Sequence, residues 1–339
     1  MLNLFYRGVT PWAVANRSQI CINRILGRLA NCAYPVYCKT SKIQPKASSA
    51  YDLCKNRVII SLTSFPARID KVYLCINSLL RQSVRADKIV LWLADTQFPN
   101  GSGIPESLKR LVGENFEIRF CDDLRSYKKI FYSAQQFKDD IIITVDDDTL
   151  YPEDWLLNLI NTYIKYPNCV CCYRAHKIVL KSGKIAPYSE WIGLSPNETG
   201  PDSFLVPIGV GGVLYPPTFF DNVEFDFEKI KELCPTADDL WLKAIGLKNG
   251  FRAVKVDPNS KEWFTIVSSQ KQALMKTNVG QNMNDVSISN LQKFYKIKLY
   301  QDDEIQLYLN CIELILCCSF SQERMLENNI LKEMVGRWQ

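Results

Sequence analysis

The first fifty residues contain no aspartate and no glutamate. They hold instead Arg7, Arg17, Arg24, Arg28, Lys39, Lys42 and Lys46, which makes this segment +7 in a chain of net charge +5 and leaves the remainder at −2. The basicity belongs to an N-terminal arm, and no RNA- or DNA-binding motif accompanies it, which argues against nucleic acid as a partner. Long apolar runs are missing too, and none reaches the length needed to cross a bilayer. No secretory signal precedes the thirteen cysteines. Reduced thiols in a cytoplasmic protein, with at most a peripheral hold on the inner face of the cell membrane, are the expectation. Cys169, Cys171 and Cys172 sit in an apolar strand pattern, and the one histidine, His176, follows them. Buried thiols explain that cluster better than zinc, and a Cys–His nucleophile pair has no more support. Neither an internal repeat nor a low-complexity tract is present.

What is there centres on Ile141-Ile142-Ile143-Thr144-Val145-Asp146-Asp147-Asp148, an apolar, β-branched run that rises into three carboxylates. A turn at Tyr151-Pro152 follows. Such a run bounded by turn signals reads as a buried strand of an α/β sheet. Ligands in these sheets collect at the carboxyl ends of the strands. Three adjacent acids repel one another there unless a cation is bound, and hard oxygen donors suit Mg²⁺ or Mn²⁺. Extended geometry would put Asp146 and Asp148 on one face with Asp147 pointing away. A solvated acidic turn at a strand end is the plainer account.

Upstream, Arg57–Pro66 reads as a first strand ending in a polar turn, with further strands at Lys88–Leu93 and Glu117–Phe120. Helical spacing fills the intervals at Ile69–Gln82, Ser107–Val112 and Tyr127–Phe137. Four alternations of strand and helix with short connections predict a mostly parallel sheet flanked by helices. Downstream come a helix over Trp155–Tyr166, a strand at Cys169–Tyr173 and a glycine-rich stretch, Gly209–Pro217. A helix opening at Thr236, a strand at Ala253–Val256, a polar segment over 268–290 and a helical end over Glu304–Val335 complete the chain. The expected division is a basic arm and linker (1–50), one α/β domain in two halves (51–150 and 151–300) and C-terminal helices (301–339). In the arm, Ile22, Ile25, Leu26 and Leu29 follow helical spacing with Arg17, Arg24 and Arg28 roughly opposite, and 35–50 reads as a linker. Such a helix either lies in an anionic membrane interface or packs on the body with its arginines solvated.

Four features taken in order are more specific than any one alone. They are Ser61-Leu62-Thr63-Ser64-Phe65-Pro66-Ala67-Arg68, then Val145-Asp146-Asp147-Asp148, then Gly209–Pro217, then Thr236-Ala237-Asp238-Asp239-Leu240-Trp241. In this order and spacing the chain resembles bacterial GT-A glycosyltransferases, family 2-like, of the kind that build surface or capsular polysaccharide, over roughly residues 55–290. The resemblance implies a GT-A, Rossmann-like fold and transfer of a sugar from a nucleotide-sugar, UDP-linked by preference, to a hydroxyl of a glycan or lipid-linked acceptor with inversion. It implies that the DXD positions Asp146 and Asp148 hold Mn²⁺ or Mg²⁺ against the donor diphosphate, and that Thr63, Ser64 and Arg68 line the nucleotide pocket. Lys128 would approach the base or the phosphates, although paired lysines usually solvate a helix face, the reading favoured for one of Lys128 and Lys129. Gly211 and Gly212 would let backbone come close to the bound sugar. Asp239, with Asp238 beside it, matches the catalytic base of inverting members, which takes the acceptor's proton. A capping box from Thr236 to Asp239 competes with that role and is compatible with it. Many relatives add a late histidine to the metal; here only His176 exists, so the metal would rest on Asp148 and Asp146 with the diphosphate and water, or on an Asn or Asp near Asn282-Met283-Asn284-Asp285.

Three other classes fit less well. A Mg²⁺-dependent phosphohydrolase signature, DxDx[TV], fails because the position four after Asp146 is Leu150 and the motif ends the fourth strand, not the first. A nucleotidyltransferase would want a Gly-rich, basic loop after the first strand, and none is there. A non-catalytic nucleotide-sugar-binding module on the same fold stays open.

Overall fold

The computed structural model describes residues 1–11, 14–44, 48–260, 262–267 and 283–298. Met1–Leu299 form one compact unit and Tyr300–Gln339 a second. The C-terminal helices expected from Glu304 lie outside the described residues. The strands, in chain order, are β1 (Val58–Thr63), β2 (Lys88–Ala94), β3 (Phe116–Cys121), β4 (Ile141–Thr144), β5 (Thr149–Leu150), β6 (Cys169–Cys172) and β7 (Ala175–Lys177). After them come β8 (Leu180–Lys181), β9 (Lys184–Ile185), β10 (Leu205–Pro207), β11 (Val213–Tyr215), β12 (Arg252–Lys255) and β13 (Phe264–Thr265). The helices are α1 (Leu2–Tyr6), α2 (Arg17–Thr40), α3 (Ala50–Cys54), α4 (Ile69–Leu80), α5 (Glu106–Lys109), α6 (Lys128–Gln136), α7 (Trp155–Lys165), α8 (Phe227–Leu233) and α9 (Asp238–Lys248). The polar segment expected over 268–290 is helical from Met283 and runs to Tyr295.

Seven strands make the central sheet in the order β12-β6-β11-β4-β1-β2-β3, and only β11 runs against the others. The β-branched runs form it because both faces are covered. Ile60, Leu62, Leu91 and Ile143 enter the core built on α4 and α7, while Ile142, Val170 and Val213 enter the core of α6 and α9. Burying each such side chain contributes about 1.5–3 kcal/mol. The chain lays down β1, β2 and β3 outward in one direction, then returns β4 to the other side of β1. Connections thus leave β1 and β4 in opposite directions, and a crevice opens at their carboxyl ends. Thr63 and Ser64 stand on its β1 side and the three acids on its β4 side, with Ser64 donating to Asp147 across it.

The arm is not a separate module. Leu2, Ala30 and Tyr34 are buried in the α4/α7 core. The Tyr6 hydroxyl donates to Leu150 O (2.6 Å) and accepts from Phe264 N–H (2.9 Å). Asn31 donates to Thr265 O and accepts from Val267 N–H, at 3.0 and 2.9 Å. The expected linker over 35–50 is corrected as well: α2 continues through Pro35 to Thr40, because Tyr34 and the Arg81–Tyr37 stacking, 4.8 Å from guanidinium carbon to ring centre, hold its last turns on the body.

Candidate active site

The site is built from the ends of β1 and β4 and the starts of α6 and α9. Ser61, in the middle of β1, donates to the Lys129 carbonyl and shares a hydrogen bond with Ser133 (2.8 Å), which also accepts from Trp92 Nε1 (2.8 Å). These bonds seat the first turn of α6 on the sheet, so both its lysines turn inward. Lys128 is 3% exposed and Lys129 7%, which corrects the expectation that one of them solvates the helix face. Lys128 Nζ pairs with Asp123 at 2.6 Å. Lys129 Nζ lies 3.3 Å from Asp146 Oδ1 and 3.5 Å from Asp238 Oδ2.

Between these elements lies a cavity of ≈ 400 Å³, lined among others by Thr63, Ser64, Arg68, Lys128, Lys129 and Asp146. Thr63 Oγ1 is turned to the Trp92 carbonyl (2.8 Å). From the sequence, Asp147 is expected only to point away from the face of Asp146 and Asp148. It is buried at the cavity wall, accepting from Ser64 Oγ (2.5 Å) and from Arg68 (2.8 Å), and Arg68 also reaches Asp148 Oδ2 (3.1 Å). Burial raises the Asp147 carboxyl above its usual range, while Ser64 and Arg68 oppose the rise. Ser64 and Arg68 therefore brace the acid cluster from the β1 side of the crevice.

Asp238 and Asp239 open α9 at its first two positions; the residue before them, Ala237, offers no side-chain cap. The capping box expected from Thr236 is absent because the helix begins two residues later than its sequence suggests. Asp239 instead accepts from the Gly209 N–H at 3.3 Å. The Asp239 carboxyl is pushed up to about 7, by burial first and the Asp238 charge second, with Lys129 acting against the shift. Burial pulls the Lys129 ammonium down, but Asp238, Asp146 and Asp239 outweigh it and hold the group well above its ordinary value. Asp238 Oδ1 accepts from Ser126 Oγ at 3.3 Å. Asp238 Oδ2 is buried without a hydrogen bond, its nearest cation being Lys129.

Gly209 is the glycine that faces this cluster. A Cβ built there would meet Lys129 Nζ at 3.3 Å, Asp239 Oδ1 at 3.6 Å and Asp146 Oδ1 at 3.7 Å. Gly211 and Gly212 answer to packing instead. Both have left-handed backbone (φ +91° and +96°), and added Cβ atoms would strike the indoles of Trp263 at 2.5 Å and Trp155 at 2.7 Å. Sequence reasoning missed Lys129 and Gly209. Their only signal was membership of the Lys-Lys pair and the Gly run, and neither pattern says which member turns inward.

No three His, Cys, Asp or Glu side chains converge as a ready metal cage among the described residues. Cys171 and Cys172 project to opposite faces of the sheet, and His176 Nδ1 accepts from Leu194 N–H at 3.0 Å. Asp285 is taken by the Tyr188 N–H (2.8 Å). The carboxylates Asp146 and Asp148 are hard donors that suit Mg²⁺ or Mn²⁺, cations commonly held by one or two carboxylates together with substrate phosphates. Asp238 shares Lys129 with Asp146.

No family model and no curated protein matches the chain. Similar solved structures do exist. A mannosyltransferase from Pyrobaculum calidifontis, in complex with GDP-Man and Mn²⁺, is 12% identical with a TM-score of 0.48, over 89% of this chain and 78% of that one. Glucosyl-3-phosphoglycerate synthase from Mycobacterium tuberculosis, in complex with Mn²⁺, UDP and phosphoglyceric acid, is 10% identical with a TM-score of 0.40, over 75% and 85%. A 4-diphosphocytidyl-2C-methyl-D-erythritol synthase is 10% identical with a TM-score of 0.36, over 68% and 100%. Values this low carry no activity over to this chain.

Proposed function

We propose that this chain is a glycosyltransferase that moves a sugar from a nucleotide-sugar, UDP-linked in the first instance, to an acceptor hydroxyl with inversion. One observation carries the proposal. Asp146 from β4, Lys129 from α6 and the Asp238–Asp239 pair from α9 converge at the switch-point crevice, beside a cavity of ≈ 400 Å³. The order of the motifs in the sequence supports the same reading. In it, Thr63, Ser64, Arg68 and Lys128 bound the nucleotide end of the cavity, and Asp146 and Asp148 are the residues that would hold a divalent cation. When bound, that cation would neutralise charge developing on the departing nucleoside diphosphate. Asp239 takes the proton of the acceptor hydroxyl at its carboxylate, and its raised pKa places it near the operating pH, where a general base is most effective. Lys129 keeps three acids within reach of one another without letting their repulsion open the site.

The test combines donor binding with turnover. UDP- and GDP-sugars are screened for thermal stabilisation with and without Mn²⁺, since a ligand at a hundred times its Kd adds about 2.7 kcal/mol. Asp239→Asn should retain metal-dependent donor stabilisation and lose turnover by on the order of a hundredfold or more, while Asp238→Asn loses less. No stabilisation by any nucleotide-sugar, or full turnover in Asp239→Asn, would defeat the assignment.

A further inference from the structure

The helix α2 wears its apolar residues on the outside. Ile22, Ile25, Leu29 and Val36 are each about half exposed or more, at 49%, 50%, 52% and 60%. At 3.6 residues per turn these four fall within an arc of about 60°. The opposite side of the helix does the packing. Asn23, Ala30 and Tyr34 are buried, Asn23 exchanges hydrogen bonds with the Thr10 backbone, and Gly27 lets Phe264 approach a virtual Cβ to 3.2 Å. Asn23, Gly27, Ala30 and Tyr34 thus fix α2 to the body, and Ile22, Ile25, Leu29 and Val36 are left facing outward.

The charges that α2 itself carries have one sign, and the body brings Glu262 near Arg24. Arg17, Arg24, Arg28 and Lys39 are exposed along one edge of the same arc, and no acid occurs anywhere in the first fifty residues. A surface that served only water would not align aliphatic side chains in register, and a contact between copies would bring these cations against their own kind. Aliphatic side chains flanked by arginines match the boundary between acyl chains and anionic headgroups, where an amphipathic helix lies in the plane of the interface. We infer that α2 is a membrane-docking helix. Its Ile22-Ile25-Leu29-Val36 stripe enters the headgroup boundary of an anionic lipid surface, and Arg17, Arg24, Arg28 and Lys39 pair with the lipid charges. No helix among the described residues is long and apolar enough to cross a membrane, so the attachment is lateral and reversible. The inference stands apart from the glycosyltransferase reading, since it needs neither donor nor acceptor.

The full chain is mixed with vesicles of phosphatidylcholine alone and with vesicles that also contain phosphatidylglycerol, and binding is read by sedimentation across a salt series. The wild type should bind only the anionic vesicles, and binding should weaken steeply as salt rises. Ile25→Glu with Leu29→Glu touches exposed positions only. This double variant should keep the wild-type melting temperature and lose at least tenfold in vesicle affinity. Arg24→Gln with Arg28→Gln should weaken binding to anionic vesicles by about fivefold per arginine. The inference is overturned if the wild type ignores anionic vesicles, or if Ile25→Glu/Leu29→Glu binds them as well as the wild type. It is equally overturned if the wild type is a dimer that this double variant makes monomeric while vesicle binding is unchanged, for the stripe is then a contact between copies.

Discussion

At the scale of single residues, the site turns on which carboxylates are paired and which are not. Asp147 has Ser64 and Arg68, and Asp146 has Lys129 in direct contact, whereas Asp239 has a backbone N–H, an acid neighbour and Lys129 at longer range. Its folded pKa, about 7, lies above the ordinary 3.8. Between those two values the folded state binds more protons than the unfolded one, so stability from this group falls as pH rises through that window. Activity should run the other way, because the base works only when deprotonated. Turnover is expected to drop towards tenfold per pH unit on the acid side of about 7. Asp239→Asn should abolish that acid limb and melt at or above the wild-type temperature at pH 8. A variant that melts lower while keeping its pH profile would make Asp239 a structural residue. The opposed trends of kcat and Tm separate the two roles.

At the scale of elements, the turn from Gly209 into β11 serves the fold and the site with different glycines. Gly212→Ala puts a Cβ 2.7 Å from Trp155 on a left-handed backbone, and neither the buried indole nor the strand can yield easily. A loss on the order of 2–4 kcal/mol is expected, read as a fall in melting temperature. At Gly209 the nearest atom to an added Cβ is the end of a lysine, 3.3 Å away, which can give way. Gly209→Ala should therefore cost under about 1 kcal/mol and spare the fold. It should nonetheless displace Lys129 from Asp146 and Asp238, and reduce turnover more than stability. Equal losses of Tm in the two variants would show that Gly209 also answers to packing. Both effects arise because β11, the one reversed strand, brings this turn beside the end of β4.

For the molecule as a whole, the arm and the body share one core. A basic, acid-free segment that holds Pro35 and Pro45 near its end suggests a detachable tail, and deletion would then leave a folded remainder. The structure predicts otherwise. Removing residues 1–44 strips Leu2, Ala30 and Tyr34 from the core and leaves the β5–β13 pair without the Tyr6 and Asn31 contacts. Such a truncated chain should express poorly and melt well below the full chain, as followed by soluble yield and thermal denaturation. A truncation as stable as the full chain would show that these contacts are dispensable.

The sequence by itself determined the alternation of strands and helices, the strand that ends in three acids and the charge of the arm. Each of these is a property of near neighbours: β-branched runs pair as strands, four-residue spacing makes helices, and charge can be counted. Strand boundaries followed closely, with the first expected over Arg57–Pro66 and found at Val58–Thr63. Only the tertiary structure decided which member of a local group turns inward. Asp147 is buried because Ser64 and Arg68 reach it across the crevice from 83 and 79 residues earlier in the chain. Lys129 and Gly209 join the acids because Ser61 seats α6 and β11 lies against β4. The aliphatic face of α2 is outward because Asn23, Gly27, Asn31 and Tyr34 on its other side fit the body. Periodicity states that a helix has two faces; what each face meets is set by residues far away in sequence, whose approach the fold alone arranges.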